Sequence, residues 1–191
     1  MTIAVSRTIP IPEPPPGGFT IADLDDLDDL GHRVELISGG LVVSARPTRW
    51  HTIVMLNLWR ILAGQVPHEY FVICEQGVRV DDGTRPEPDV LVVREDGNLD
   101  ARTYTGREVV LAVEIVSPGS ERRDRRDKPP LYAEAGIAHF WRIEREGNVA
   151  VVHTYELDET TRAYVATGIH RENLKVLVPW PLTVDLTTLH R

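Results

Sequence analysis

Three acidic residues occupy positions where the surrounding sequence is otherwise typical of buried β-strands. Glu35 and Glu114 each interrupt an apolar run, and Asp89 directly precedes one. Charged side chains are seldom fully buried unless they are paired or bind a metal ion. Strands that bring such acids together create the oxygen-rich site that hard cations prefer, and the cation neutralises their mutual repulsion. The three positions therefore predict a carboxylate cluster able to bind Mg²⁺ or Mn²⁺.

Each of these acids also has a purely structural explanation. Glu35 could pair with Arg33, or with another arginine, across a hairpin. Asp89 could cap a turn that begins at the preceding proline. Glu114 could belong to a structural ion pair, although burial at that position demands a strong partner. The residues alone leave these alternatives open.

Lysine is rare in this chain and its placement is informative. Only two of the 21 basic residues are lysines, Lys128 and Lys175, so surface cations are generally arginines. Lys128 ends the charged run 121–128, and a lysine provides a compact point charge suited to holding a water or a phosphate oxygen. A solvated charge run is the alternative for this segment.

His51, at the start of a helix, could accept a proton, contact a phosphate, or simply form a local hydrogen bond.

The elements that must position these residues follow from the apolar and breaker patterns. Mixed strands and helices in this order predict an α/β or α+β domain around one central sheet. The almost continuous apolar strand 109–116 is typical of a sheet centre covered on both faces. The other predicted elements are strands at 34–37 and 41–43 joined by a turn, a helix at 50–65, strands within 70–80 and 90–93, a helix that ends at 135–136, a strand at 137–144, a hairpin at 149–157 and 162–167, and an apolar tail at 174–189.

The N-terminal residues differ in composition from the rest of the chain. Five prolines and a Gly-Gly pair within residues 1–18 favour extended geometry, so we expect a flexible arm followed by a single domain at 19–191. Thr20 is predicted to cap a short acidic helix, with Asp23 at the capping-box position. The apolar residues of that helix recur every three positions, at Ile21, Leu24, Leu27 and Leu30.

Bulk composition restricts the function classes. The 191 residues are 42% hydrophobic with a net charge of −8, which excludes whole-chain disorder and a surface that is basic all over. Residues 121–128 nevertheless hold five basic side chains against three acidic ones, which leaves room for local phosphate binding. The single cysteine, the lack of an 18-residue apolar run and the lack of a signal-peptide pattern predict a cytoplasmic protein that does not enter a membrane.

The spacing of these motifs resembles a known nuclease group. Pro88-Asp89, followed after 24 residues by Glu114 at the end of an apolar strand, is similar to the signature of the PD-(D/E)XK nuclease superfamily. More closely, the span from about Glu35 to Glu144 resembles the bacterial Uma-two family of restriction-endonuclease-like proteins. The landmarks that match are residues 34–39, His51, Pro88-Asp89-Val90, residues 113–118, Asp127-Lys128, residues 132–137 and Phe140-Trp141.

This resemblance implies a restriction-endonuclease-like mixed sheet flanked by helices. It also implies a metal-dependent endonuclease that hydrolyses nucleic acid, with DNA as the expected substrate. Asp89 and Glu114 would be metal ligands for Mg²⁺ or Mn²⁺, and Glu35 an additional ligand or a water-positioning acid. The superfamily lysine lies two residues after the second acid, where this chain has Val116, whereas Lys128 matches the position used in the Uma-two pattern. The resemblance also implies a homodimer, to which the apolar tail bearing Trp180 could supply an interface.

A second hypothesis comes from a different functional class. The absent lysine after Glu114 and the acidic net charge are also consistent with a catalytically silent module that keeps the nuclease fold and binds nucleic acid or protein. Metal binding separates the two hypotheses, because only the enzyme requires it.

Overall fold

The centre of the protein is a six-stranded mixed β-sheet. The computed structural model describes residues 12–26, 33–94 and 98–191. In chain order the helices and strands are α1 (Ile21–Asp26), β1 (Val34–Ile37), β2 (Gly40–Val43), α2 (Arg49–Ala63), β3 (Tyr70–Cys74), β4 (Gly77–Arg79), β5 (Val90–Arg94), β6 (Thr103–Thr105), β7 (Val109–Ile115), α3 (Lys128–Ala135), β8 (His139–Glu146), β9 (Val149–Asp158), β10 (Ala163–His170), β11 (Asn173–Val176) and β12 (Leu182–Asp185).

The strand order across the sheet is β10-β9-β8-β7-β5-β3. Strands β7 and β8 are parallel, and every other neighbouring pair in this sheet is antiparallel. Separate two-stranded units are formed by β1 with β2, by β4 with β6, and by β11 with β12. The α+β class and the mixed central sheet are thereby confirmed.

The predicted central strand, β7, has a different hydrophobic core on each side. Leu111, Val113 and Ile115 pack into one core with α2 and the C-terminal hairpin. Ala112 packs into the other core with Tyr132 of α3. Because successive strand residues point to opposite faces, Glu114 shares the face of Ala112 and is directed toward α3.

Two helices carry residues toward the C-terminal end of β7. Helix α2 begins at the N-cap Thr48, whose side chain accepts a hydrogen bond from the backbone N–H of His51, which lies in the first turn. Its buried residues recur at helical spacing, which seats the helix on the sheet. Helix α3 ends at Gly136, which adopts a left-handed conformation with φ of 85° that glycine accommodates without strain.

The segment before α3 forms a feature that the sequence did not predict. Residues 123–127 form a π-helical turn that runs directly into α3, so that Lys128 is the first residue of that helix and prolines fill the next two positions. Pro is well tolerated in a first helical turn, because the backbone N–H it lacks has no helical partner there. Lys128 therefore lies at the N-terminal edge of α3, at the junction with the charged run.

The structure describes only part of the segment to which the N-terminal predictions apply. Residues 1–11 of the predicted arm, and Leu27 and Leu30 of the predicted acidic helix, lie outside the described residues. The capping box is present: the backbone N–H of Thr20 donates to Asp23 Oδ2 at 2.8 Å, and the backbone N–H of Asp23 donates to Thr20 Oγ1 at 3.3 Å.

Trp180 of the tail stacks on Tyr70 of the same chain, with ring centroids 5.1 Å apart. None of the helices described is long and apolar enough to cross a membrane.

Candidate active site

The acid-bearing ends of two antiparallel neighbours in the sheet form the base of a cavity. Val90 of β5 pairs with Val113 of β7, so the residue before β5, Asp89, lies beside the residue after Val113, Glu114. The backbone N–H of Asp89 donates to Val113 O at 3.0 Å, which fixes this register. The cavity has a volume of about 380 Å³ and is lined by residues that include Glu35, His51, Asp89, Glu114, Asp124 and Lys128. The four predicted site residues therefore converge.

Asp89 is buried and both of its carboxylate oxygens are occupied. Oδ1 accepts a hydrogen bond from Arg33 Nη1 at 2.7 Å. Oδ2 accepts one from the backbone N–H of Ile115 at 2.6 Å and lies 3.2 Å from His51 Nε2. Burial alone would raise the pKa of Asp89, but the His51 hydrogen bond and the charge of Arg33 lower it below its usual range. Asp89 is therefore ionised near neutral pH, at the edge of the sheet.

Glu114, Lys128 and Glu35 form a buried ion triad. Lys128 Nζ lies 2.9 Å from Glu114 Oε1 and 2.7 Å from Glu35 Oε1. Glu35 Oε1 also accepts the backbone N–H of Glu87 at 2.8 Å, and Glu114 Oε1 accepts the hydroxyl of Tyr132. Both hydrogen bonds to Glu114 reach the same oxygen, so Oε2 has no hydrogen-bond partner among the described residues.

The acids at this site outnumber the bases that pair with them. Asp124 is also buried, with its Oδ1 4.0 Å from Lys128 Nζ, so Lys128 faces three carboxylates. Burial raises the pKa of Glu114 to about 8; Lys128 opposes this rise, and the charges of Asp124, Asp89 and Glu35 add to it. Burial would lower the pKa of Lys128, but the charges of Glu114 and Glu35 raise it above its ordinary value. Lys128 therefore remains an ammonium.

The structural alternatives for the three acids have definite outcomes. Glu35 pairs with Lys128 and not with Arg33. Asp89 accepts its hydrogen bonds from other elements and so does more than cap a local turn. Glu114 does form the strong ion pair that its burial demands, and its partner is Lys128.

Sequence reasoning missed three residues of this cavity. Arg33 contacts Asp89, Asp124 faces Lys128, and Arg123 lines the cavity with a buried Nε that has no hydrogen-bond partner among the described residues. Arg123 also forms no ion pair within this part of the chain, although the cavity is rich in carboxylates. In the run 121–128, alternating charges hide which members point inward, and only the π-helical turn directs Asp124 and Lys128 to the interior while Arg122, Arg125, Arg126 and Asp127 remain exposed.

His51 lies in the site as well. It is buried, its Nε2 contacts Asp89, and its Nδ1 has no hydrogen-bond partner in the described residues. The sequence places it at the start of a helix and leaves open whether it accepts a proton, contacts a phosphate or forms a local hydrogen bond. Its contact with Asp89 requires the N-terminal end of α2 to meet the sheet edge, which is a tertiary relationship.

The donor set fits a hard divalent cation. It offers carboxylate oxygens and an excess of acid over base, which are the properties that Mg²⁺ and Mn²⁺ require. Within the described ranges, however, no three Asp, Glu, His or Cys side chains are close enough to form a complete metal cage. Lys128 lies between Glu35 and Glu114, and Asp89 is engaged by Arg33 and His51. Mg²⁺ is commonly held by only one or two carboxylates, with water and substrate phosphates supplying the remaining oxygens, so a partial set is sufficient.

Comparisons with known proteins identify the family of the chain and a solved structure with the same fold. The model of the Uma2 family, described as "Putative restriction endonuclease", matches residues 21–187. The chain belongs to the Uma2 family. The Uma2 match includes every element that contributes to the carboxylate cavity, from β1 to the start of α3.

A solved structure shares the fold. It is described as a putative nuclease belonging to DUF820 from Anabaena variabilis, and it superposes with a TM-score of 0.67. It is 16% identical in sequence, and the alignment covers 90% of this chain and 97% of that one. No curated protein matches the sequence. At this identity the solved neighbour supports the fold of the chain and not its detailed chemistry.

Proposed function

We propose that this Uma2 protein is a nuclease that hydrolyses phosphodiester bonds with the help of a divalent cation, and that DNA is its substrate. The observation that carries the proposal is the convergence of Glu35, Asp89, Glu114 and Lys128 on one cavity from four separate segments of the chain. The Uma2 description and the nuclease name of the solved neighbour point to the same class of reaction.

Asp89 and Glu114 would hold the cation, and Glu35 would be the third acidic group available to it. Mg²⁺ or Mn²⁺ bound there would polarise the scissile phosphate and lower the pKa of a bound water. Asp89 suits this role because it remains ionised, and Glu114 because its Oε2 is without a hydrogen bond from the described residues.

Lys128 would stabilise negative charge on the phosphate and would not act as a base. Its pKa is raised by Glu114 and Glu35, so the ammonium donates hydrogen bonds and cannot accept a proton near neutrality. An ammonium that is already fixed in place stabilises negative charge developing on the phosphate without a reorganisation cost. Glu35, the second carboxylate on Lys128, would orient the attacking water and receive its proton.

Arg123 would bind the substrate phosphate. It lines the same cavity and is not committed to an ion pair with any described residue, whereas Arg33 is held by Asp89 and contacts Glu75 and Glu87. The planar guanidinium matches two oxygens of a phosphate group. Arg123 thus supplies the cationic contact that an acidic cavity needs in order to accept a polyanion.

The test is cleavage of plasmid DNA by purified protein with Mg²⁺ or Mn²⁺, with and without EDTA. We expect nicking that EDTA abolishes and that D89N and E114Q reduce by at least about 100-fold, because each removes a charged ligand. The control variant is E159Q, which changes an exposed acid in the turn between β9 and β10. Equal cleavage by the wild type, D89N and E114Q would refute the proposal.

A second candidate function rests on the closed ion triad. Lys128 neutralises part of the charge of Glu35 and Glu114 without any metal, which is what a catalytically silent nucleic-acid-binding module would retain. Titration calorimetry with Mn²⁺ distinguishes the two: the nuclease gives a saturable heat change that D89N abolishes, and the silent module shows no Mn²⁺ binding. A homodimer remains a prediction for either function, and light scattering of the purified protein would measure it.

A further inference from the structure

A second cavity lies on the side of α3 that faces away from the carboxylate site. Its volume is about 540 Å³, within the range of small-molecule sites, and it is bounded by α3 and by strands β8 to β10. Four arginines and three aromatic residues line it, with a single acid, Glu134, among the lining residues. Nothing in the proposed reaction uses this cavity.

The floor of the cavity is an aromatic cluster that is held rigidly. Phe140 is buried and stacks on Tyr155, with ring centroids 5.5 Å apart and an interplanar angle of 30°. Tyr164 lies 5.5 Å from Phe140, and its hydroxyl donates to Ile137 O at 2.8 Å. Tyr155 and Tyr164 line the cavity and are only half-buried, so part of each aromatic side chain is accessible from it.

The rim of the cavity is cationic. Arg142 and Arg125 are both held by Glu144, and the guanidinium of Arg142 lies 5.6 Å from the ring centroid of Tyr155. Arg162 donates to the backbone oxygen of Glu134 at 3.1 Å. Arg126 is exposed and forms neither an ion pair nor a hydrogen bond with any described residue. The rim therefore retains positive charge that an anionic ligand would neutralise.

We propose that this cavity binds a nucleotide. A nucleobase stacks on aromatic side chains, a contribution of about 1–3 kcal/mol per base in proteins that bind single strands. A phosphate accepts hydrogen bonds from guanidinium groups. The cavity offers both partners side by side: the base lies against Tyr155 and Tyr164, and the phosphate is bound by Arg126 and the neighbouring arginines of the rim.

The two cavities share one structural element. Along the π-helical turn and the start of α3, Asp124 and Lys128 line the carboxylate cavity, whereas Arg125, Arg126 and Pro129 line the second one. A nucleotide in the second cavity thus contacts the segment that positions Lys128. The nucleotide comes either from solution, as a free mononucleotide, or from a strand that continues beyond the carboxylate site. Only the strand source rests on the proposed nuclease function.

The test is titration calorimetry in EDTA, where no metal-dependent cleavage interferes, with AMP and with a short single-stranded DNA oligonucleotide as probes. Two variants address the cavity: R126E reverses the charge of its uncommitted arginine, and A163W fills the space from an exposed position on β10. The matched control is R60E, which reverses an exposed arginine on α2, across the sheet. Thermal melts verify that each variant folds.

We expect the wild type and R60E to bind, and R126E and A163W to weaken binding by about tenfold or more. Binding of AMP identifies a free nucleotide as the ligand, and binding of the oligonucleotide alone identifies a strand. E114Q, which stops the proposed nuclease reaction, leaves AMP binding unchanged, so failure of one proposal is distinguishable from failure of the other. Absence of binding by both probes, or equal affinity in the wild type, R126E and A163W, would overturn the proposal.

Discussion

The ammonium of Lys128 lies 2.9 Å from Oε1 of Glu114, and both side chains are buried. The two residues come from different elements, the central strand β7 and the first turn of α3. This ion pair therefore joins the sheet to the helix at the point where we propose the chemistry to occur. Breaking a buried pair by removing one partner leaves an uncompensated charge in the interior.

Removal of the lysine should destabilise the fold. We expect K128M to lower the free energy of unfolding by about 3–5 kcal/mol at about pH 9, where Glu114 as well as Glu35 is ionised and both would lose their counter-charge. Urea denaturation monitored by tryptophan fluorescence measures the change. K175M is the control, since Lys175 is the only other lysine and its side chain is exposed on β11. Equal stability of K128M and K175M would contradict the prediction.

The protonation of Glu114 should make stability depend on pH. Burial raises its pKa to about 8, against an ordinary value of 4.5. The folded protein therefore binds this proton more tightly than the unfolded chain does, so the stabilisation is complete below about pH 4.5 and is lost as the pH rises to about 8. We expect E114Q, a neutral isostere, to lack this loss in metal-free buffer. Parallel stability–pH curves for the wild type and E114Q would contradict the prediction.

The stability of the protein should also depend on close packing at the C-terminal end of α3. A Cβ atom placed on Gly106 would lie 1.9 Å from the backbone oxygen of Ala135, the last residue of the helix. We expect G106A to cost about 3 kcal/mol of stability, since backbone atoms would have to move. The control is G64A, where the nearest atoms are 3.7 Å away and φ is −82°. A melting temperature of G106A equal to that of G64A would contradict this expectation.

The acids at the sheet edge were predictable because they depend on local patterns. Asp89 opens one apolar strand and Glu114 lies near the end of another, and antiparallel pairing of those strands brings the two positions together. The placement of Glu35 and Lys128 depended on the family resemblance, since a hairpin and a helix can dock on a sheet in many ways. Their shared contact is a tertiary fact that neither local pattern contains.

The cationic and acidic residues around the first four were not predictable, for a physical reason. Asp124 and Arg123 belong to a run in which nearly every residue is charged, and no apolar periodicity shows which side faces inward. The π-helical turn changes the angular spacing of these residues from that of an α-helix, so helical reasoning would have misassigned them. The contact of Arg33 with Asp89 could not be predicted either, because the two residues are remote in sequence.

Divalent cations should stabilise the protein, and more strongly at alkaline pH. A cation at Asp89 and Glu114 competes with the proton on Glu114, whose pKa is raised to about 8. We expect Mn²⁺ to raise the melting temperature more at about pH 9 than at about pH 6, and EDTA to reverse the effect. D89N should lose the Mn²⁺ effect and E159Q should keep it. A melting temperature that is independent of Mn²⁺ at both pH values would favour the silent module.

Arg123 should bind the substrate phosphate without supporting the fold. It has no ion-pair partner among the described residues, so we expect R123Q to retain the wild-type melting temperature. Its affinity for DNA should fall, and the slope of log affinity against log salt concentration should shrink by about 1, the value for one lost phosphate contact. Fluorescence anisotropy in EDTA measures both quantities in the absence of cleavage.

The adjacent residue provides the matched control for that measurement. Arg122 carries the same charge one position earlier, but its side chain is exposed, lies 3.6 Å from Asp127 and does not line the carboxylate cavity. We expect R122Q to bind DNA with the wild-type affinity and salt slope, because Arg122 lies outside the cavity. R122Q and R123Q change the overall charge by the same amount, so a difference between them reports the local contact. An identical loss of affinity in R122Q and R123Q would show that only net charge matters, and would remove Arg123 from the proposed phosphate site.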